Sequence, residues 1–345
     1  MNTNRSLTAV LGADQSSARS PSVNWPIFVV GSSRSGTTFL ASILASSHDF
    51  PLYKAETKLL SLCSRKYGPL QQKKSYQRFI KDWLRSSQFA RSGLDAERFI
   101  REAEAHRDSY AAFLAFFMGS MARNQAKTRW LEKTPEHIFY IRDLSNALPN
   151  ARFIHIIRDG RDVAISRRKV GWVGTRSQNE RTQLLCAAIE WERAVKAGRR
   201  YGEELGKRYL EINYEALVRD TERVLEVLNP FAGTQLTVRD LNESSIGSLR
   251  RSNSAFAAAE PGVSNSAVER WREMLSEGDL YAINTVIGRT LTQFGYGGIQ
   301  ERLRWNSFNY WRVKIKEVFL RLQLAFKHCV KRKTPLGRIV KYSLS

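Results

Sequence analysis

The sequence predicts an α/β fold, a three-layer sandwich in which a central parallel sheet is flanked by helices. Three observations carry this. Short apolar runs of the kind found in strands covered on both faces stand at residues 27–30 and 153–157. Longer stretches with apolar residues at three-to-four spacing separate the strands, the alternation that builds a parallel sheet with crossover helices. The chain of 345 residues, 42% of them hydrophobic, is long enough to bury a sizeable core.

Taken in order, residues 1–23 are rich in Ser, Asn and Arg and read as a disordered leader. Their one weakly apolar piece, 7–11, is shorter than the roughly 7–15 residues of a secretory core. The strand at 27–30 leads through a glycine turn into a helix from about 37 to 47. Residues 95–124 read as one long helix, with Phe99, Ala103, Tyr110, Phe113, Leu114, Phe117 and Met121 on or near a core-facing side. A short strand at 129–132 precedes a helix at 135–147 opened by Pro135. The run 153–157 is the most hydrophobic strand and is expected at the centre of the sheet. Helices at 159–169 and 180–201, a strand at 209–212, and a helix at 215–228 ending before Pro230 follow.

Residues 242–266 lose all periodicity and read as a long loop, a length that in compact domains goes with function or disorder. Helices resume at 267–275 and near 279–294, and Gly295, Gly297 and Gly298 close a domain spanning 24–300. The tail, 301–345, carries twelve basic and two acidic residues. Trp305, Phe308, Trp311, Ile315, Phe319, Leu322 and Phe326 form an apolar stripe along it. Such a basic amphipathic helix suits either an anionic membrane interface or packing on its own domain or a second subunit.

Fifty-five Lys and Arg against 33 acidic residues give a net charge of +22, so an anionic partner is expected. The absence of zinc-finger, RNP and basic-zipper signatures argues against nucleic acid. Cys63, Cys186 and Cys329 lie far apart, with neither a CxxC pair nor a histidine at ligand spacing. They read as free thiols without a metal site, which suits a reducing, cytoplasmic compartment. No apolar run approaches the roughly 18 residues of a membrane-spanning helix, so any membrane placement would be peripheral, through the tail.

Two motifs carry the chemistry. Gly31-Ser-Ser-Arg-Ser-Gly-Thr-Thr38 follows the first strand and opens its helix, so backbone amides and the helix N-terminus converge as in phosphate-binding loops. Against the pattern GxxxxGK[ST], Thr37 stands where a nucleoside-triphosphate enzyme needs lysine, and the basic residue is upstream at Arg34. The second motif runs from the strand at 153–157 through Arg158 into a helix carrying Ser166. Ligands of open α/β sheets bind beyond the carboxyl ends of strands, so an arginine fork and a hydroxyl there suit a second phosphate. Asp159 and Asp162 read as first-turn acids complementing the helix dipole.

These two motifs resemble those of the sulfotransferases that use 3′-phosphoadenosine 5′-phosphosulfate. The resemblance covers about 27–296 and implies a P-loop-like fold. It implies that Arg34, Ser35, Gly36, Thr37 and Thr38 hold the 5′-phosphate and sulfonate, that Arg158 and Ser166 hold the 3′-phosphate, and that no metal is required. Trp130-Leu-Glu-Lys-Thr-Pro135, Tyr214 within Asn-Tyr-Glu-Ala-Leu, and Glu56 within Lys54-Ala-Glu-Thr-Lys58 are similar to the tyrosylprotein and bacterial branch. That likeness implies Glu56 as general base, Lys133 at the transferring group, Arg34 assisting the leaving phosphate, and Tyr214 near the nucleotide base. Local readings remain beside it: Glu56 paired with Lys54 or Lys58, Lys133 paired with Glu132 or Glu136, Tyr214 in the core, and His48 as a fallback base. Ser248, Arg250, Arg251 and 262–266 are looser candidates at the nucleotide.

The expected activity is sulfonate transfer to a hydroxyl acceptor, whether lipid, glycan or peptide tyrosine, releasing adenosine 3′,5′-bisphosphate. A P-loop kinase, or a basic membrane- or nucleic-acid-binding module, is the alternative, and oligomerisation is left open.

Overall fold

Strand β1 (Ile27–Gly31) runs through the middle of the protein with every residue buried. The computed structural model describes residues 25–172, 175, 177, 179–243, 267–297 and 308–333. Strands β2 (Leu131–Lys133), β3 (Arg152–Ile157) and β4 (Tyr209–Asn213) complete a parallel sheet of order β2-β1-β3-β4. The strand read as most hydrophobic therefore does lie inside the sheet, paired with β1 on one side and β4 on the other.

Alternation along the strands builds the layers, because successive side chains point to opposite faces. Phe28, Val30 and Phe153 enter one apolar cluster with the helices Lys73–Leu84 and Tyr110–Asn124. Ile27, Val29, Ile154 and Ile156 enter another with the helix Thr37–Ala45 and the helices Tyr214–Arg219 and Thr221–Ala232. A third cluster gathers the helices Gly160–Lys169, Glu180–Leu205 and Glu277–Gln293. Phe28 stacks on Phe153 at 5.1 Å and meets Trp130 edge-on at 5.4 Å, which ties β1 to β3 and to the residue leading into β2.

Several boundaries differ from the sequence reading, each for a local reason. The long helix expected at 95–124 is two, Ala96–Ala103 and Tyr110–Asn124, with a 3₁₀ turn at Glu104–His106 between them. Asp95 caps the first through the Arg98 amide, and Ser109 caps the second through the Ala112 amide. A mid-segment serine thus starts a new helix instead of continuing the old one. The apolar residues expected in the core, Phe99 to Met121, are all buried there. The segment after Pro135 begins as a 3₁₀ helix (Pro135–Tyr140) before the α-helix Ile141–Ala147.

The helix expected to stop before Pro230 breaks at Asp220 and then runs through Pro230 to Ala232. Pro230 and Glu226 are exposed, a setting in which the helical bond lost at proline costs least. The stretch expected as helix from 267 is helical only at Trp271–Met274. Among the described residues no helix is long and apolar enough to cross a membrane. Cys63 and Cys186 are free and buried.

Candidate active site

The strand order fixes the site. The loop that follows β1 is bracketed by the ends of its two neighbours, where Lys133 closes β2 and Arg158 follows β3. Strands so paired lie about 4.8 Å apart, so residues distant in sequence meet over the β1 loop.

In that loop the backbone turns sharply. Arg34 has φ +77° and Gly36 has φ +96°, and the Ser35 amide donates to the Ser32 carbonyl at 3.1 Å. Gly36 is required twice over: a Cβ there would lie 2.5 Å from the Tyr214 ring, and the conformation is one that side chains disfavour. Gly36 also begins the helix Thr37–Ala45 with no side-chain cap, which leaves its first amides open at the end that attracts anions. Thr37 is buried and Thr38 exposed at this end. Ser35 is fully buried with a hydroxyl that has no hydrogen-bond partner among the described residues. A buried, unmatched hydroxyl beside open helix amides fits a phosphate or sulfonate oxygen.

Arg34 Nε donates to Ser166 Oγ at 3.1 Å, and its guanidinium lies 5.6 Å from the centre of the Trp172 ring. Arg158 is buried; its Nη1 donates to the Arg34 carbonyl at 3.3 Å and its Nη2 to the Ala267 carbonyl, while its Nε finds no acceptor among the described residues. Its guanidinium lies 4.7 Å from the centre of the Tyr214 ring. The two motifs read from the sequence are thus in direct contact, with Tyr214 between Gly36 and Arg158.

Arg270 joins them and was missed by the sequence reading. Burial, together with the neighbouring Arg158, depresses the proton affinity of Arg270. Burial depresses that of Arg34 as well, helped by Arg158 and Arg270. Guanidinium groups gathered this way lower one another's proton affinity, and Asp162 partly offsets the effect at Arg270. The available signal for Arg270 was a basic residue where periodicity returns after the aperiodic segment.

Asp159 accepts from the Arg161 amide at 2.8 Å, as a helix-start acid should. Asp162 is also in the first turn of this helix, and it does more than complement the dipole. It is buried, accepts from the Trp271 amide at 2.9 Å, and faces Arg158 at 3.8 Å, so it fastens the returning chain to the site.

On the β2 side, Lys133 Nζ lies 3.0 Å from Glu56 Oε1, and Lys58 Nζ lies 3.9 Å from Glu56 Oε2. Glu56 therefore has the Lys58 contact considered from sequence, whereas Lys133 pairs with Glu56 rather than with Glu132 or Glu136. Glu132 is buried beneath them, accepting from Thr57 at 2.8 Å and Thr134 at 2.5 Å and contacting His137 Nδ1 at 2.9 Å. Burial alone would raise the Glu132 carboxyl, but His137, Thr134 and Thr57 hold it below its ordinary value. Glu136 accepts from Ser33 at 2.9 Å, which links this side to the loop. His48 is exposed and follows the end of the helix Thr37–Ala45 that is remote from the β1 loop. Ser248, Arg250, Arg251 and 262–266 lie outside the described residues, as does the leader 1–23. Among the described residues no group of three or more His, Cys, Asp or Glu is placed to hold a metal ion.

Comparison with known proteins matches residues 26–238 to the Sulfotransferase family. A protein of Caenorhabditis briggsae named "Putative protein-tyrosine sulfotransferase" is 23% identical over 289 residues, covering 82% of this chain and 92% of that protein. The solved sulfotransferase domain from the curacin biosynthetic pathway superposes with a TM-score of 0.55 at 19% identity, over 79% of this chain and 98% of its own. That likeness supports the P-loop-like fold. The sulfotransferase domain of the Synechococcus PCC 7002 olefin synthase gives 0.49 at 20% identity, over 76% and 93%.

Proposed function

The chain belongs to the sulfotransferase family, and from that premise we propose that it moves the sulfonate of 3′-phosphoadenosine 5′-phosphosulfate onto a hydroxyl acceptor. The observation that carries this is the convergence of both anion motifs: Arg34 on Ser166 at 3.1 Å and Arg158 on the Arg34 carbonyl at 3.3 Å. One ligand with phosphates at both ends of a nucleoside answers such a pair of adjoining cradles.

In this reading the amides at the start of the helix Thr37–Ala45, with Ser35, Thr37 and Thr38, hold the 5′-phosphate and sulfonate. Arg158 and Ser166 hold the 3′-phosphate, and the Tyr214 ring lies toward the nucleoside. Glu56 takes the acceptor proton as the acceptor oxygen bonds to sulfur, and the sulfur–oxygen bond to the nucleotide phosphate breaks. Lys133 and Arg34 offset the charge gathering on the departing oxygen, and adenosine 3′,5′-bisphosphate leaves. Every cation in this scheme is a side chain, so turnover should persist in a chelator.

The acceptor bears a hydroxyl. The name of the Caenorhabditis briggsae relative favours a tyrosine phenol, with glycan and lipid alcohols as the other classes. Titration calorimetry tests the donor: tight binding of adenosine 3′,5′-bisphosphate in a chelator supports the proposal, and magnesium-dependent binding of ATP in its place overturns it. Transfer of labelled sulfate to tyrosyl peptide, oligosaccharide or lipid alcohol identifies the acceptor.

A further inference from the structure

We infer that the outward face of the helix Phe308–Lys333 docks on an anionic lipid bilayer, lying along its interface. At about 100° per residue this helix has two apolar faces on opposite sides. One holds it to the domain: Leu320 and Leu324 are buried against the third cluster, and Arg321 reaches Glu192 at 2.6 Å and Glu317 at 2.8 Å. Opposite stand Phe308, Trp311, Ile315, Phe319, Leu322 and Phe326, each between 58% and 78% exposed. They make a straight stripe roughly 27 Å long at 1.5 Å per residue. An exposed stripe of this size marks an interaction surface.

Charge identifies the occupant. Arg312, Lys316 and Lys327 run along one side of the stripe by helical position. On the other side, between this helix and Glu180–Leu205, lies a groove of about 680 Å³ whose lining sets Arg193, Lys196, Arg200 and Arg321 against Glu190 and Glu192, with Lys196 and Arg321 both paired to Glu192. Positive charge is thus in excess on both sides of the stripe, in a chain of net charge +22. A second copy seated on the stripe would bring these borders together against like charge. Acidic headgroups neutralise both while acyl chains receive the aromatic rings, and long basic side chains reach outward to the phosphates. Because the opposite face is already packed, docking needs no rearrangement of the domain, and the mode is lying on the membrane rather than crossing it.

This inference does not depend on the donor reading. The test is flotation of the full-length protein with vesicles of phosphatidylcholine alone and of phosphatidylcholine with phosphatidylserine. Binding to the acidic vesicles, weakened by salt, is expected. Phe319→Glu with Leu322→Glu should reduce it at least about tenfold and leave the melting temperature unchanged, since both side chains face solvent. Lys316→Glu with Lys327→Glu should remove the preference for phosphatidylserine. Failure of the unaltered protein to float with acidic vesicles at low salt overturns the inference. So does a concentration-dependent dimer, seen by sedimentation velocity, that the Phe319→Glu/Leu322→Glu variant abolishes, because the second copy is then the occupant.

Discussion

Arg158→Ala is the substitution on which the site's logic bears most heavily. The side chain is buried, gives hydrogen bonds to the Arg34 and Ala267 carbonyls, and opposes Asp162 at 3.8 Å. A hydrogen bond to a charged group contributes about 1.5–3 kcal/mol, so the Kd for adenosine 3′,5′-bisphosphate should rise roughly 10- to 150-fold. Stability should fall by about 3 kcal/mol, the lower end for breaking a buried pair, because Asp162 keeps its bond from the Trp271 amide. That loss depends on pH. Burial holds the Asp162 carboxyl above its ordinary value of 3.8, and Arg158 is the chief influence pulling it back. A carboxyl raised on folding destabilises the protein above its folded value, and this cost is gone below the unfolded one. Without Arg158 the carboxyl rises further, so the variant should lose more stability at neutral pH than near 3.8. Adding Asp162→Asn should flatten the difference while leaving nucleotide binding weak. Calorimetric titration and chemical denaturation at several pH values measure both quantities. An unchanged Kd in a folded Arg158→Ala protein refutes the phosphate role, and a stability loss indifferent to pH refutes the electrostatic account.

Other outcomes follow from the same geometry. Glu56→Gln should leave nucleotide affinity within about twofold and lower kcat by about 10²–10⁴, the usual contribution of a general base; steady-state kinetics and calorimetry measure the two separately. Gly36→Ala sets a methyl against the Tyr214 ring at φ +96° and should cost about 1–3 kcal/mol in denaturation together with nucleotide affinity. Glu132→Gln should weaken the acid limb of the stability curve. The Glu132 carboxyl sits below its ordinary value, so its contribution is present above that value and lost as pH falls through the folded one.

The fold and much of the site were legible because they rest on local patterns. Apolar strands, the glycine loop and Arg158 each announce themselves within a few residues. Boundaries were harder to read. Asp95 and Ser109 each cap a helix, yet an unbroken apolar periodicity hides the join between them. The break at Asp220 and the passage through Pro230 turn on which residues stay exposed, something known only once neighbouring helices are packed. Arg270 was illegible for another reason: it has no motif and reaches the site by a long-range return of the chain, tied by the bond from the Trp271 amide to Asp162.

The sequence by itself determined an α/β chain with an anion-binding loop after its first strand and a second cationic turn after its central one, because these follow from period, glycine placement and charge order. Tertiary structure alone decided that Lys133, placed by the strand order, pairs with Glu56, and that Arg270, brought back by the bond from the Trp271 amide to Asp162, joins Arg34 and Arg158. It also decided which face of the last helix meets the domain. Periodicity reveals an apolar stripe, but the stripe that packs is the one whose partners, here Glu192 and the third cluster, fit it best. The broader aromatic stripe was left facing outward.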